Sequence, residues 1–453
     1  MLDMKRLVLD KLIEWRNADN RKPLVLNGAR QVGKTYLLKE FGKNFYRKLH
    51  YLNFEDDESL HKVFEHSLKP QKIIDTLKID FELDLDIESD LIFFDEIQTC
   101  PKALTSLKYF CEDLPQVHIV SAGSLLGIKL GKSGFPVGKI DSLELHPMNF
   151  SEFLLALGKK DYFEKIQQLK IDTEVSEITA LKLWELLRWY FIVGGLPEVV
   201  EIFVKKHHDL PEALSSVREA QYLLIQAYNS DIAKHSGKVN SMHIEGLFTN
   251  AALQLGREEN DGAEKFKLKD AIPGIEEYSR LENALNWLIK TGLIIKVPIL
   301  KQVAIPLKAY IEENKFKLFI FDVGILGALA DIKAYSILNY DYGTYKGFFA
   351  ENFVAQELVA ADSRSDRLFC WHGRSSEIEF VRDHEGHIVP LEVKSGTNTK
   401  SKSLSVFIEK YQPKLSVKIS ARKFQFNKVN HRLSLPLYAI SSLNRILDEI
   451  VKG

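Results

Sequence analysis

Through the first 150 residues, short apolar runs alternate with segments of helical spacing. The runs Leu24-Val-Leu, Leu91-Ile-Phe-Phe and His118-Ile-Val each have a helix-like segment near them, the pattern of a parallel sheet flanked by helices. Ile73, Ile74, Leu77 and Phe81 keep helical spacing, but acids alternate with apolar residues over 80–88, so helix and strand both stay open there.

From about 151 to 233 the apolar spacing is helical, with breaks at Gly194-Gly195 and Pro197, and predicts a helical lid or connector. Over 236–329 helical stretches give way to Leu293-Ile-Ile-Lys-Val-Pro-Ile and Phe319-Ile-Phe. Helices followed by a hairpin suit a winged helix. Beyond Gly347 a helix over 348–361 precedes several strand-like runs, a separate α/β unit. The expected division is 1–150, 151–235, 236–335 and 336–453.

Composition adds bounds. The 453 residues correspond to about three domains at roughly 150 residues each. With 45% hydrophobic, 27% charged and 11% aromatic residues, the chain is ordinary globular protein, not a disordered or fibrous one. Its net charge of −1 argues against a wholly basic nucleic-acid binder. Cys100, Cys111 and Cys370 are too few and scattered for a disulfide framework or a zinc knuckle. Charge stands where a signal peptide needs an apolar run, and no segment is apolar enough to span a membrane. A cytoplasmic protein is expected. Charge is uneven, however: over 75–113 eleven acids face three bases, whereas over 394–432 ten bases face only Glu409.

Gly28, Ala29, Arg30, Gln31, Val32, Gly33, Lys34 and Thr35 fit the phosphate-loop pattern G-x4-G-K-[ST], between an apolar strand and a helix. Its glycines let backbone amides turn toward phosphates at the positive end of the helix dipole. The pattern assigns Lys34 to the β- and γ-phosphates of ATP and the Thr35 hydroxyl to Mg2+. Leu91-Ile-Phe-Phe then delivers Asp95 and Glu96 at a strand end: Asp95 to hold magnesium through water, Glu96 to polarise the attacking water. The third strand ends in small polar residues, among which Ser124 is the candidate contact to the γ-phosphate or that water.

Together with Leu107-Lys-Tyr-Phe, Ala122-Gly-Ser124, Leu145-His-Pro-Met-Asn-Phe-Ser-Glu-Phe and Gly194-Gly-Leu-Pro197, these motifs are similar to those of prokaryotic AAA-type ATPases fused to a C-terminal domain of unknown function related to restriction-endonuclease folds. The resemblance covers almost the whole chain. It implies ATP binding by the loop, the roles above for Asp95 and Glu96, and a sensor-like Ser124. Where such proteins have Gly-Arg, this chain has Gly138-Lys139, which keeps the charge but loses the bidentate fork.

Glu351 on a helix, Glu377-Ile-Glu379, and Glu392-Val-Lys394 form a second constellation, in which strand periodicity puts Glu392 and Lys394 on one face. Two or three carboxylates can hold a divalent metal against a phosphodiester, and a neighbouring lysine can activate hydroxide. The order resembles the restriction-endonuclease-like core, with Glu379 where an aspartate is usual. The basic stretch over 394–432, interleaved with Phe407, Tyr411, Phe424 and Phe426, predicts a phosphate-tracking face.

Two functions fit. In one, an ATPase controls a nuclease-like unit that binds DNA or RNA. In the other, the chain is a nucleotide switch whose C-terminal domain is catalytically inert. A second copy of the chain is a candidate partner, and no membrane is expected.

Overall fold

The strands at 24–27 and 91–95 are buried at every position, because each is sandwiched between neighbouring strands and covered by helices. In the computed structural model, the described residues are 4–123, 138–236, 238–254, 266, 271–272, 278–341, 343, 345–362, 367–374, 376–397 and 402–452. The chain divides into two compact units, Lys5–His146 with Lys290–Gly292, and Met1–Met4 with Pro147–Ile289 and Leu293–Gly453.

The first unit is built on a five-stranded sheet of β1 (Leu24–Asn27), β2 (Leu49–Asn53), β3 (Leu91–Asp95), β4 (His118–Ala122) and β5 (Asp141–Glu144). Its order is β2-β3-β4-β1-β5 and every pairing is parallel. The expected parallel sheet is therefore present, with two edge strands added. On one side, Phe54 packs edge-to-face on Phe64 and Phe94 at 5.5 and 5.6 Å, within a core that includes Ile73, Ile74, Leu77 and Phe110. The ambiguous stretch resolves as helix Pro70–Ile79 followed by irregular chain that still buries Leu85. That irregular segment ends at Asp90, which is buried and accepts Arg47 Nε at 2.8 Å, Arg47 Nη2 at 2.7 Å and His50 Nε2 at 2.9 Å.

In the second unit, residues 150–236 are helical as their spacing predicts: Phe150–Ala156, Lys160–Gln167, Glu177–Val193, Pro197–Lys206 and Leu210–Ser236. The Gly194-Gly195 break is a packing requirement. Gly194 has φ +73°, and a side chain there would meet Asp322 Oδ1 at 2.2 Å; one on Gly195 would meet the Met148 carbonyl at 1.9 Å. Asp322 Oδ2 accepts the Gly195 amide at 2.6 Å and its Oδ1 caps helix Val323–Leu329 through Ile325 N. Tyr190 donates to the Met148 carbonyl at 2.5 Å and accepts from Gln356. The 148–153 and 194–197 motifs are thus held together by buried polar contacts.

Helices Lys238–Gln254 and Tyr278–Lys290 precede the hairpin of β6 (Ile294–Leu300) and β7 (Ile311–Ile320), in the expected order. The hairpin is not the edge of a separate module, however. With β8 (Phe369–His372), β9 (Glu377–His384), β10 (His387–Val393), β11 (Ser416–Ser420), β12 (Gln425–Asn427) and β13 (Arg432–Pro436), it forms an eight-stranded sheet ordered β12-β13-β11-β10-β9-β8-β6-β7. The parallel pairing of β6 with β8 carries the sheet across the expected 335/336 boundary, because the fully buried Val297 and Leu300 have no wet face to present. Helix Tyr345–Asp362 packs on this sheet, where the buried Asn352 hydrogen-bonds the Ile320 backbone of β7 at 2.8 and 2.9 Å, while Phe349 and Phe353 pack on Phe191 and the helix buries Gln356 and Glu357 as well.

Candidate functional site

The phosphate loop follows β1. Gly28 has φ +153°, and a Cβ there would lie 2.2 Å from the Leu145 carbonyl; Gly33 has φ +93° and precedes helix Lys34–Phe45. Both positions need glycine. Gln31, between them, also has positive φ at 66°. No side chain caps this helix, so its first-turn amides keep their positive end for an anion. Val32 is buried, and Arg6 Nη1 donates to its carbonyl at 2.8 Å, which ties the loop to the N-terminal segment. Lys34 Nζ donates to the Gly28 and Ala29 carbonyls at 3.0 and 2.9 Å. Burial lowers the Lys34 ammonium to about 8, against the opposing fields of Glu96 and Asp95. Thr35 is half-buried in the first turn and Arg30 is exposed.

Asp95 ends β3, one strand removed from β1. It is buried, its Oδ2 accepts Tyr51 Oη at 2.9 Å, and its Oδ1 accepts the Glu96 amide at 3.1 Å. Glu96 turns the chain with φ 51°, and Gln98 Nε2 donates to its Oε2 at 2.5 Å. The structure therefore brings lysine, aspartate and glutamate into one electrostatic neighbourhood. These residues fit magnesium ATP. Thr35 and Asp95 would hold the ion. Ser124 lies outside the described residues. Lys139 Nζ lies 2.9 Å from Glu112 Oε1 in an exposed ion pair on helix Pro101–Asp113.

The C-terminal carboxylates do converge, and they bring lysines that sequence reasoning missed. Lys317, on β7, is fully buried; its Nζ pairs with Glu351 Oε2 at 3.1 Å and with Glu377 Oε1. His372 Nε2 lies 3.3 Å from the same Glu377 oxygen. Lys394 Nζ is 3.3 Å from Glu379 Oε1, while Glu379 Oε2 accepts the Val393 amide at 3.1 Å. Lys418, directly opposite Glu392 in the β10–β11 register, sits 3.0 Å from Glu392 Oε2, and Glu392 Oε1 has no hydrogen-bond partner. Burial pushes Glu379 up to about 8 although Lys394 opposes it, and burial raises Glu351 despite Lys317. For Glu377, burial is outweighed by Lys317 and His372, which hold it below the ordinary range. Among the described residues, no three carboxylate, histidine or thiol groups are disposed to hold a metal ion. A signal for Lys317 was present, since a lone lysine interrupts the apolar run Phe316-Lys-Leu-Phe-Ile.

The basic stretch divides in two. Lys394 turns inward to Glu379, Lys418 pairs with Glu392 and also reaches a cavity of about 460 Å³, and Arg422, Lys423 and Arg432 line that cavity with Gln425 and Asn427. Among the described residues, no acid lines it. Of the expected interleaved aromatics, Phe407 is buried and packs with Tyr411 on Trp371 at 5.3 and 5.7 Å, whereas Phe424 and Phe426 line a neighbouring cavity with Lys423 and Gln425.

Residues 20–154 match the family model described as an AAA domain, and 184–336 and 346–438 match two models described as domains of unknown function (DUF8612 and DUF4143). No curated protein matches the chain. Similar solved structures include the Aeropyrum pernix ORC1 protein in complex with DNA, at 12% identity and TM-score 0.31, covering 73% of this chain and 93% of that one. The Thermotoga maritima RuvB Holliday junction branch migration motor is 15% identical with TM-score 0.31, covering 65% of this chain and 90% of that one. The first unit is a parallel-sheet, P-loop NTPase-like domain.

Proposed function

We propose that this protein binds and hydrolyses ATP with Mg2+, and that its nucleotide state controls a nucleic-acid-binding C-terminal unit related to nuclease folds. One observation carries the first part: Lys34 Nζ is held on the loop's own carbonyls within the fields of Asp95 and Glu96. When bound, magnesium ATP supplies the γ-phosphoryl group. Lys34 would meet the phosphate charge, and the Thr35 hydroxyl and Asp95 would hold the ion. Glu96 orients a water and takes its proton. Gly28, Ala29, Arg30, Gln31, Val32 and Gly33 supply the curved backbone around the phosphates. Ser124 is the proposed sensor at the end of the third strand.

For the second part, the cavity between Arg422, Lys423 and Arg432, lined by no acid among the described residues, suits DNA or RNA phosphates. No helix among the described residues is long and apolar enough to cross a membrane. The proposal also places the ATPase in the cytoplasm and takes a second copy of the chain as a candidate partner. The test is the ATPase rate in magnesium with and without DNA or RNA, with the nucleic acid then run on a gel. Stimulation by nucleic acid supports the coupling, and a rate indifferent to both refutes it.

A further inference from the structure

The carboxylate cluster of the second unit brings oxygen donors together from separate elements, although among the described residues no three of them are disposed around a metal ion. Glu351 comes from helix Tyr345–Asp362 and Glu377 from β9, yet one oxygen of each converges on a single point. Oxygen ligands from separate elements meeting at one centre are how a protein holds such an ion. Here the centre is the Lys317 Nζ.

Three facts make this more than a surface ion pair. The Lys317 side chain is entirely withdrawn from solvent, so its charge is tolerable only because the carboxylates face it. It arrives from β7, which enters this sheet only through the β6–β8 pairing. Finally, the neighbouring carboxylates are matched by lysines in the same way, Glu379 by Lys394 and Glu392 by Lys418. The cluster is thus Glu351, Glu377, Glu379 and Glu392 against Lys317, Lys394 and Lys418, with His372 on Glu377.

We propose that Lys317 takes the place of a divalent cation, so that the C-terminal unit is neutralised from within and binds nucleic acid without metal-dependent cutting. An ammonium cannot do what a metal does for phosphodiester cleavage. It carries one charge rather than two, binds no water as a ligand, and cannot lower the pKa of an attacking water by coordination. The inference rests on the C-terminal half of the reading above, but concerns only the cluster.

The experiment follows Mn2+ alone, by electron paramagnetic resonance and thermal unfolding, in the full-length, nucleotide-free protein carrying Asp95→Asn to silence the phosphate-loop region. With Lys317 present, no Mn2+ that depends on Glu351 is expected. Lys317→Ala is expected to gain one Mn2+, raising its thermal midpoint, and to lose it again with Glu351→Gln. Lys317→Arg, which keeps the charge, should gain none. If Lys317→Ala is unfolded in EDTA, refolding by Mn2+ but not by NaCl of equal ionic strength supports the proposal equally. Three results overturn it: Mn2+ bound with Lys317 present and lost with Glu351→Gln, a folded Lys317→Ala that binds none, or an unfolded Lys317→Ala that Mn2+ does not rescue. None of these depends on nucleic-acid binding, so failure here is distinguishable from failure of the nucleic-acid reading.

Discussion

Glu357 Oε1 accepts the backbone amide of Phe150 at 2.7 Å, joining the middle of helix Tyr345–Asp362 to the first residue of a helix more than two hundred positions earlier. That helix start already has its own capping box, in which Asn149 accepts from Glu152 N and Glu152 reaches back to Asn149 N. Glu357 therefore satisfies a remaining amide, and does so with a fully buried carboxyl whose Oε2 has no partner.

Burial pushes the Glu357 carboxyl up to about 8, so it is protonated in the folded protein at neutral pH. In the unfolded chain it ionises near the ordinary glutamate value, about 4.3. The raised folded value means its contribution to stability is intact below that unfolded value and is lost as pH rises through about 8. Glu357→Gln keeps an acceptor for Phe150 N and cannot ionise. The wild-type thermal midpoint should fall more steeply than that of Glu357→Gln between pH 5 and about 8, and the two curves should run parallel above pH 9. Parallel curves throughout would remove Glu357 as the cause.

Asp90 has the opposite sign. Burial alone would raise it, but Arg47, the Asp86 amide and His50 outweigh that and hold it at about 2. Its contribution is present above the ordinary aspartate range and lost as pH falls toward 2. Asp90→Asn should lower the thermal midpoint clearly at pH 7, and the difference should shrink steadily on acidification below pH 4, followed by circular dichroism. A pH-independent difference would assign the cost to packing.

At the phosphate loop, Lys34→Ala removes the charge facing the phosphates and should abolish most ATP affinity in a titration of fluorescent nucleotide. Unchanged binding would overturn the loop assignment. Glu96→Gln keeps shape and the hydrogen-bonding capacity toward Gln98 but cannot take a proton, so it should bind ATP with near-normal affinity and lose at least about 100-fold in turnover.

The readability of these features from sequence follows their locality. Gly28, Gly33, Lys34 and Thr35 lie within eight consecutive positions, and the backbone angles of the two glycines are residue-specific, so pattern alone locates them. Asp95 and Glu96 are marked by the apolar strand before them. Strand β2 escaped because His50 and Asn53 dilute its hydrophobicity at the sheet edge, and β5, Asp141-Ser-Leu-Glu, offers one apolar residue. Lys317 and Lys418 could be assigned only once the sheet was known: the register sets Lys418 opposite Glu392, and nothing in the spacing 317, 351, 377 announces a common centre. The hairpin misled for a related reason, since winged helices and sheet extensions share the order of helices then strands and differ only in the strand that β6 pairs with.

The basic cavity supports a prediction about salt. Reversing Lys418 would disturb Glu392, a structural partner, so the informative substitutions are Arg422→Glu and Lys423→Glu, whose side chains line the cavity outside the carboxylate cluster. Arg422 Nε donates to the Thr397 carbonyl at 2.9 Å and Lys423 lies 3.7 Å from Glu177 Oε2, both contacts exposed, so neither change should unfold the sheet. If this face tracks phosphates, each contact releases a counterion on binding, and the slope of log K against log salt falls by about 0.7 to 0.9 per contact removed. The double reversal should therefore weaken binding to every sequence alike and reduce that slope by about 1 to 2, measured by anisotropy of a labelled oligonucleotide between 50 and 200 mM salt. Base-specific contacts would behave differently, because they lower affinity for one sequence while leaving the slope nearly unchanged. An affinity that is salt-independent in the wild type, or a double reversal that binds as tightly as wild type, would mean that the cavity is not where nucleic acid docks.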